Sequence, residues 1–343
     1  MSEPLFPCTL VGSYPQPDWL IDRKALAGRF PPRTRARELW RVAEPYLEDA
    51  LKDATRLAVN DQMRAGIDIV TDGEIRRESY SNFFATALEG VDFENPGEAL
   101  DRSGEPVKVP RVVGPLRRRK PVCLDDVRFL RSLTGQSIKY TVPGPFTMSQ
   151  QAKNEYYKSD AECALAYAAA LNEEIKDLFA AGADVIQLDE PYMQARAAKA
   201  EAYGIEALNR AVEGVKGKTA VHICFGYAAL IHERPAAYSF LPQLARANVT
   251  QISIETAQSN LDCSILRELP GKEIMLGVID LSTRDIETVE VVKERVRRAL
   301  PHIDAQKIIL APDCGMKYLP REVAFGKLHA MSEAAKELRA ELS

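Results

Sequence analysis

The chain has 343 residues, of which 46% are hydrophobic and 27% charged, and its net charge is -4. This is the composition of a globular protein with enough apolar material for a large core. The charges form no long block of one sign, which excludes any simple electrostatic case for binding nucleic acid or an anionic membrane. No apolar run is long enough to span a bilayer, and the N-terminus lacks the pattern of a signal peptide.

Six cysteines are scattered along the chain, without a CxxC pair or a compact disulfide framework. Thiols of this kind stay reduced in reducing compartments. We therefore expect a cytoplasmic protein whose thiols are free for metal binding or catalysis.

Strand-like apolar runs alternate with helical patterns along the chain. The eight runs begin near Thr9, Ile67, Gln136, Asp184, Thr219, Thr250, Glu273 and Lys307. Helical patterns separate successive runs, and a closing helix is predicted over 321–342. Eight alternating units predict one α/β domain, a (β/α)8 TIM barrel formed by residues 1–343. An open, doubly wound sheet is the alternative fold, but no glycine-rich nucleotide loop follows any predicted strand.

The region from Asp92 to Pro121 departs from this alternation. Charged residues, proline and glycine dominate it, and the stretch from Val107 to Val113 alternates weakly between apolar and polar residues. We predict a small β-hairpin-like insertion at about residues 92–121, after the second strand.

Chemically versatile side chains stand where the predicted strands end. They are Ser13, Glu74, Asp189, His222, Cys224, Glu255, Asp280 and Cys314. In a (β/α)8 barrel the carboxyl ends of the strands form one rim, and active sites are built there. Residues far apart in the sequence are therefore expected to meet in one cavity.

A metal site is predicted at this rim. His222 and Cys224 lie two positions apart at a strand end, so their side chains share one face. Alone, this pair is more typical of a buried core. Glu255 and Cys314 complete a set of two thiolates, one imidazole and one carboxylate, which suits zinc. Four protein ligands usually indicate a structural zinc, but in a barrel mouth the ion can keep a substrate thiol deprotonated at neutral pH.

The carboxylates at the rim have two interpretations each. Glu74 and Asp189 are consistent with helix capping, and also with binding the amine of an amino acid substrate. Asp280 is as consistent with a cap as with a proton-transfer group.

Seven ordered blocks of the chain resemble the catalytic C-terminal barrel of cobalamin-independent methionine synthase. They are Val11–Gln16, Asp72–Glu74, Gly144–Pro145, Gln187–Pro191, His222–Cys224, Ile252–Thr256 and Pro312–Lys317. The resemblance implies a zinc site whose ligands are His222, Cys224, Glu255 and Cys314. It also implies that homocysteine is bound through its amine by Glu74 and Asp189, and through its carboxylate near Val11 and Ser13.

Three departures from the family pattern concern the methyl donor. The full-length family enzyme has a second, N-terminal barrel that helps to bind folate, and this chain is expected to have only the catalytic one. Gln151 stands where the family has a tryptophan thought to stack on the folate, and Ser282 stands where it has a histidine implicated in proton transfer. We therefore predict a non-folate donor, such as a methylated corrinoid or corrinoid protein, with Asp189, Asp280 and Ser282 as the catalytic groups.

The predicted function is zinc-dependent S-methylation of homocysteine to methionine. The nearest alternative keeps this chemistry and changes the thiol, for example to coenzyme M, or the alkyl donor. A metal-binding barrel without transferase activity is a second alternative. A related decarboxylase is a third, although it would not need the His/Cys/Glu/Cys set.

Overall fold

The computed structural model describes residues 4–27, 34, 36–78, 82–102, 104–225 and 238–342. Strands β1 to β10 are Ile69–Val70, Glu89–Leu100, Pro106–Arg117, Ser137–Pro143, Lys153–Asn154, Val185–Asp189, Lys218–His222, Gln251–Glu255, Glu273–Ile279 and Ile308–Pro312. Helices α1 to α11 are Arg23–Ala27, Leu47–Arg64, Asn82–Ala85, Leu124–Leu133, Pro145–Gln150, Asp160–Ala180, Pro191–Ala195, Ala197–Lys199, Ile205–Ala211, Val289–Ala299 and Arg321–Leu342. Shorter turns of 3-10 helix cover Arg37–Leu39, Leu241–Arg246, Cys263–Glu268 and Ala305–Lys307, and Ala200–Gly204 is π-helical.

Seven strands form one parallel sheet in the order β1-β4-β6-β7-β8-β9-β10. Seven of the eight predicted runs are therefore strands. The run near Thr9 is reduced to two parallel bridges, from Cys8 to Leu310 and from Thr9 to Ile69. The amide of Thr9 donates to the Leu310 carbonyl at 2.9 Å, and the amide of Ile69 donates to the Cys8 carbonyl at 3.0 Å. This short segment thus joins the two edge strands, β10 and β1.

The strands are buried because both faces of the sheet are covered, as their near-continuous apolar sequences require. Strands β6, β8 and β10 are buried at every position. The main apolar cluster combines strand residues with residues of the covering helices, such as Leu171 and Leu328. A separate small cluster contains only residues of the N-terminal segment and the strands, namely Val11, Val185, Ala220, Met275, Ile309 and Ala311.

Local signals in the sequence fix several helix starts. The Ser159 hydroxyl accepts a hydrogen bond from the Glu162 amide at the start of α6, and the Glu162 carboxylate accepts one from the Lys158 amide. The Ser159 bond is that of an N-cap, while the Glu162 bond reaches the amide one residue before the one that a capping box uses. Among the described helices, none has both the length and the apolar character that crossing a membrane requires.

The region 92–121 contains most of an antiparallel hairpin formed by β2 and β3, with the short β5 alongside β3. The hairpin begins at Glu89, three residues before the predicted boundary. Its turn is anchored to the rest of the chain because the Arg196 guanidinium donates to the Leu100 carbonyl at 2.6 Å. The turn residues after Leu100 are therefore held close to the carboxyl ends of the parallel strands.

Candidate active site and metal centre

A cavity opens at the carboxyl ends of the parallel strands. The residues that line it are Val11, Ser13, Glu74, Arg102, Asp189, Pro191, His222, Cys224, Cys314 and Gly315. Three candidate metal ligands, two carboxylates and both residues expected near a substrate carboxylate therefore share one cavity.

The candidate metal centre consists of His222, Cys224 and Cys314. One ligand atom of each residue lies within 4.8 Å of the other two, and all three side chains are buried. His222 is the last residue of β7, and Cys314 follows the end of β10 by two residues. Parallel strands bring these positions to the same edge of the sheet. Two sulfur atoms and one imidazole nitrogen form a donor set that suits zinc.

The His222 ring is oriented for metal binding. Its Nδ1 atom lies 2.9 Å from the Ser253 hydroxyl, while its buried Nε2 atom has no hydrogen-bond partner among the described residues. A hydrogen bond at one ring nitrogen commonly fixes a metal-binding histidine and leaves the other nitrogen for the metal. This arrangement fits a metal ligated by Nε2.

Electrostatics favour the ligating form of Cys224. A hydrogen bond with Cys314 holds the pKa of the Cys224 thiol well below its usual value, against the effect of burial, and His222 and Arg102 lower it further. Burial lowers the pKa of His222, but interactions with Cys224 and Asp189 outweigh it and the net direction is upward. The lowered pKa favours the thiolate, which is the form of cysteine that binds metals.

Glu255, predicted as the fourth metal ligand, is fully buried at the end of β8. Its carboxylate accepts a hydrogen bond from the Phe225 amide at 3.1 Å. Within the described part of the chain, it is neither in the group of three candidate ligands nor in the cavity lining. Its role as a ligand stays a prediction.

Glu74 adopts an unusual backbone conformation in the cavity wall. Its φ angle is 54°, in the left-handed region that residues other than glycine rarely occupy. The carboxylate accepts a hydrogen bond from the Thr141 hydroxyl at 2.9 Å, and Arg77 lies 3.8 Å away. Gly12 makes room for this carboxylate, since a Cβ atom at position 12 would overlap Glu74 Oε1. Such strain is typical of functional positions.

Asp189 is the last residue of β6, and its carboxylate accepts a hydrogen bond from the Gln187 side-chain amide at 2.7 Å. Burial raises the pKa of Asp189, and His222 opposes this shift. For both Glu74 and Asp189 the hydrogen bonds to the carboxylate come from side chains rather than from the amides of a helix start. The capping interpretation therefore has no support from these contacts.

Ser13 and Val11 also line the cavity. The Ser13 hydroxyl is buried without a hydrogen-bond partner among the described residues. A buried hydroxyl of this kind is available to donate to a ligand.

Asp280 and Ser282 are not among the residues that line the cavity. The Asp280 carboxylate accepts hydrogen bonds from the Ser282 amide at 2.8 Å and from the Ser282 hydroxyl at 2.7 Å, and Ser282 is exposed. This is a local turn of the kind that aspartate often forms. A catalytic role for either residue stays a prediction.

Two residues of the site were not predicted from the sequence. Arg102 reaches the cavity from the hairpin turn, and its Nη1 atom lies 3.9 Å from Cys224 Sγ. No periodicity marks it, because its position depends on the docking of the hairpin. Ser253 carried a usable signal, since it precedes Glu255 by two residues in a strand and so shares its face.

Comparisons with known proteins identify the family to which the chain is similar. Residues 6–337 match the family described as "Cobalamin-independent synthase, Catalytic domain". Methionine synthase from Saccharolobus solfataricus is 35% identical over 99% of this chain and 96% of the relative. Methionine synthase from Sulfolobus acidocaldarius is 36% identical over 98% and 94%.

A solved structure from Shewanella sp. W3-18-1, described as a B12-independent methionine synthase in complex with selenomethionine, is also similar. It has a TM-score of 0.89 and 38% identity, and the match covers 98% of this chain and 99% of that chain. The resemblance predicted from the seven sequence blocks is confirmed: the chain belongs to the cobalamin-independent methionine synthase family, whose catalytic domain it matches over almost its full length.

Proposed function

We propose that this protein is a zinc-dependent methyltransferase that converts homocysteine to methionine. The observation that carries the proposal is the meeting of His222, Cys224 and Cys314 with Glu74 and Asp189 in one cavity. The similar Shewanella protein supports it, because selenomethionine is an analogue of the proposed product. We also propose a (β/α)8 barrel over residues 1–343, with residues 7–9 in the place of the eighth strand and the 92–121 hairpin as an insertion.

Each residue of the cavity has a role in this proposal. His222, Cys224 and Cys314 hold the zinc ion, with Glu255 as the fourth ligand. When bound, zinc supplies Lewis acidity that keeps the substrate thiol deprotonated at neutral pH. Glu74 and Asp189 bind the substrate amine, while Ser13 and the backbone near Val11 bind its carboxylate.

The transfer is a displacement at the methyl carbon. A bond forms between the homocysteine sulfur and this carbon, and the bond from the carbon to the donor breaks with its electron pair leaving on the donor. Orienting both partners in one cavity contributes several kcal/mol to such a step. Asp189, Asp280 and Ser282 are the proposed groups for handling the proton that the departing donor requires.

We propose two candidates for the methyl donor. The family name, cobalamin-independent synthase, gives the predicted corrinoid donor no support. Methyltetrahydrofolate, the donor of the full-length family enzyme, is therefore the first candidate, and methylcobalamin is the second. Gln151 stands in place of the family tryptophan, and its buried side-chain amide has no hydrogen-bond partner among the described residues. We propose that the reaction takes place in the cytoplasm, which keeps the cysteines reduced.

Zinc K-edge absorption on the zinc-loaded protein, with and without homocysteine, tests the proposed acceptor. An additional sulfur neighbour on adding homocysteine is expected. Coenzyme M is the comparison thiol, and the Asp189→Asn variant should keep its zinc while homocysteine binds more weakly. A spectrum that responds to coenzyme M and not to homocysteine would overturn homocysteine as the acceptor. Turnover with each donor then separates methyltetrahydrofolate from methylcobalamin.

A further inference from the structure

A buried lysine lies one layer below the rim of the cavity. Lys139 belongs to β4 and is 1% exposed. Its ammonium donates to the Leu10 carbonyl and, at 2.7 Å, to the side-chain oxygen of Gln187, and the Met275 sulfur lies 4.0 Å away. An ammonium has three N–H donors, and these three neighbours are all acceptors. The surroundings of Lys139 therefore match its protonated form.

Lys139 determines which way the Gln187 amide points. Because Lys139 occupies the amide oxygen, the amide nitrogen of Gln187 faces Asp189 and donates to Oδ1 at 2.7 Å. The opposite orientation would place the amide NH2 against the ammonium and the amide oxygen against the carboxylate. Both of those contacts are repulsive. The chain from Lys139 through Gln187 to Asp189 thus has one favourable arrangement.

We infer that Lys139 is a positioning residue for substrate recognition, which acts through Gln187 to hold the Asp189 carboxylate where it receives the substrate amine. This inference rests on the proposed function, in which Asp189 binds the amine of homocysteine. A lysine that only fills the interior of the sheet would instead affect every ligand of the cavity alike.

The charge of Lys139 interacts with the same two carboxylates. Burial lowers the pKa of Lys139 to about 7, and the negative charges of Asp189 and Glu74 oppose this shift. The ammonium is therefore coupled to the two carboxylates that are proposed to bind the amine. The neighbours of Lys139 in β4 are apolar or aromatic, apart from Ser137 and Thr141, so the strand pattern itself gives no reason for a lysine inside the sheet.

The test compares two ligands that differ only in the amine. Homocysteine and 4-mercaptobutanoate share the thiol and the carboxylate, and only homocysteine carries the amine. We would measure both dissociation constants by calorimetry on the zinc-loaded full chain, for the wild type and for Lys139→Met. The variant should bind homocysteine about tenfold more weakly or worse. Its zinc content and its affinity for 4-mercaptobutanoate should stay within about twofold of the wild type.

Lys293→Met is the matched control, because Lys293 is also buried but pairs with Glu337 and Glu341 on the helical surface. It should change neither affinity. Equal weakening of both ligands in Lys139→Met would overturn the inference, as would an unchanged preference for homocysteine. If Lys139→Met does not fold, Gln187→Leu carries the test, with the same selective loss expected and the same outcomes against it.

Asp189→Asn separates this inference from the proposed function. If Asp189→Asn keeps the wild-type preference for homocysteine over 4-mercaptobutanoate, the proposed amine site itself is wrong. If Asp189→Asn loses the preference and Lys139→Met keeps it, only the inference fails. The double variant should lose no more preference than Asp189→Asn alone, because Lys139 acts through Asp189.

Discussion

Replacing Ser253 with alanine should weaken zinc binding without touching any proposed ligand. The Ser253 hydroxyl lies 2.9 Å from His222 Nδ1, and its side chain is 1% exposed, so no water is expected to replace it readily. Losing the partner of a metal-binding histidine typically costs 10–100-fold in metal affinity, which corresponds to about 1.4–2.7 kcal/mol. We expect Ser253→Ala to lie within this range.

The measurement is a competition for zinc between the protein and a chromophoric chelator of known affinity. The same variant is compared without metal by thermal unfolding, since the orphaned Nδ1 atom also costs about 1–3 kcal/mol of folding stability. Ser332→Ala is the matched control. Ser332 is buried and donates to the Ala65 carbonyl from α11, among residues that do not line the cavity.

The comparison of the two serine variants decides the outcome. If Ser253→Ala and Ser332→Ala bind zinc equally well, the hydrogen bond to His222 does not orient a metal ligand. The inference that this hydrogen bond reserves the Nε2 atom for the metal would then be refuted.

Three further predictions concern the cavity and the residues beneath it. Cys314→Ser should lose both zinc and activity, because a hydroxyl is a poorer zinc ligand than a thiolate. Metal analysis and turnover measure the two losses, and full zinc content with full turnover would contradict the assignment of Cys314 as a ligand. Gly12→Ala should raise the KM for homocysteine about tenfold at unchanged zinc content, since the added Cβ displaces the Glu74 carboxylate; an unchanged KM would show that the displacement is harmless. The pKa of Lys139 is about 7 in the folded state against 10.5 when unperturbed, so the unfolded chain binds more protons between these values. In denaturant titrations, the unfolding free energy of the wild type should therefore rise above pH 7 by up to about 1.4 kcal/mol per pH unit relative to that of Lys139→Met. If the unfolding free energies of the two proteins change in parallel with pH, the lowered pKa of Lys139 is refuted.

The sheet was largely predictable because its strands are buried on both faces and therefore have near-continuous apolar sequences. The length of the run near Thr9 was harder to predict. Gly12 and the cavity wall follow it so closely that this segment pairs with its neighbours through two bridges only. Between β7 and β8, where the alternating pattern predicts a helix, the described residues contain only a 3-10 turn, Leu241–Arg246. So few residues lie between this turn and β8 that a longer regular helix has little room.

The position of the site was predictable for a different reason. Parallel strands place their carboxyl ends at one edge, so His222 and Cys314 meet although they are 92 positions apart in the sequence. The orientation of individual side chains was not predictable, because it depends on tertiary contacts. The Glu255 carboxylate accepts a hydrogen bond from the Phe225 amide. Arg102 lies at the turn of a hairpin, and no local sequence pattern predicts where that hairpin docks.

The left-handed backbone conformation of Glu74 affects which residues can replace it. An ordinary side chain in that conformation costs roughly 1–2 kcal/mol, which glycine does not pay. Replacing Glu74 with glycine would relieve this strain, but it would also leave the Thr141 hydroxyl and the nearby buried Arg77 without the carboxylate. The loss of a buried hydrogen-bond partner costs about 1–3 kcal/mol, which offsets the relief. The strained backbone at this position is therefore retained at little net cost, because the carboxylate that requires it also stabilises the cavity wall.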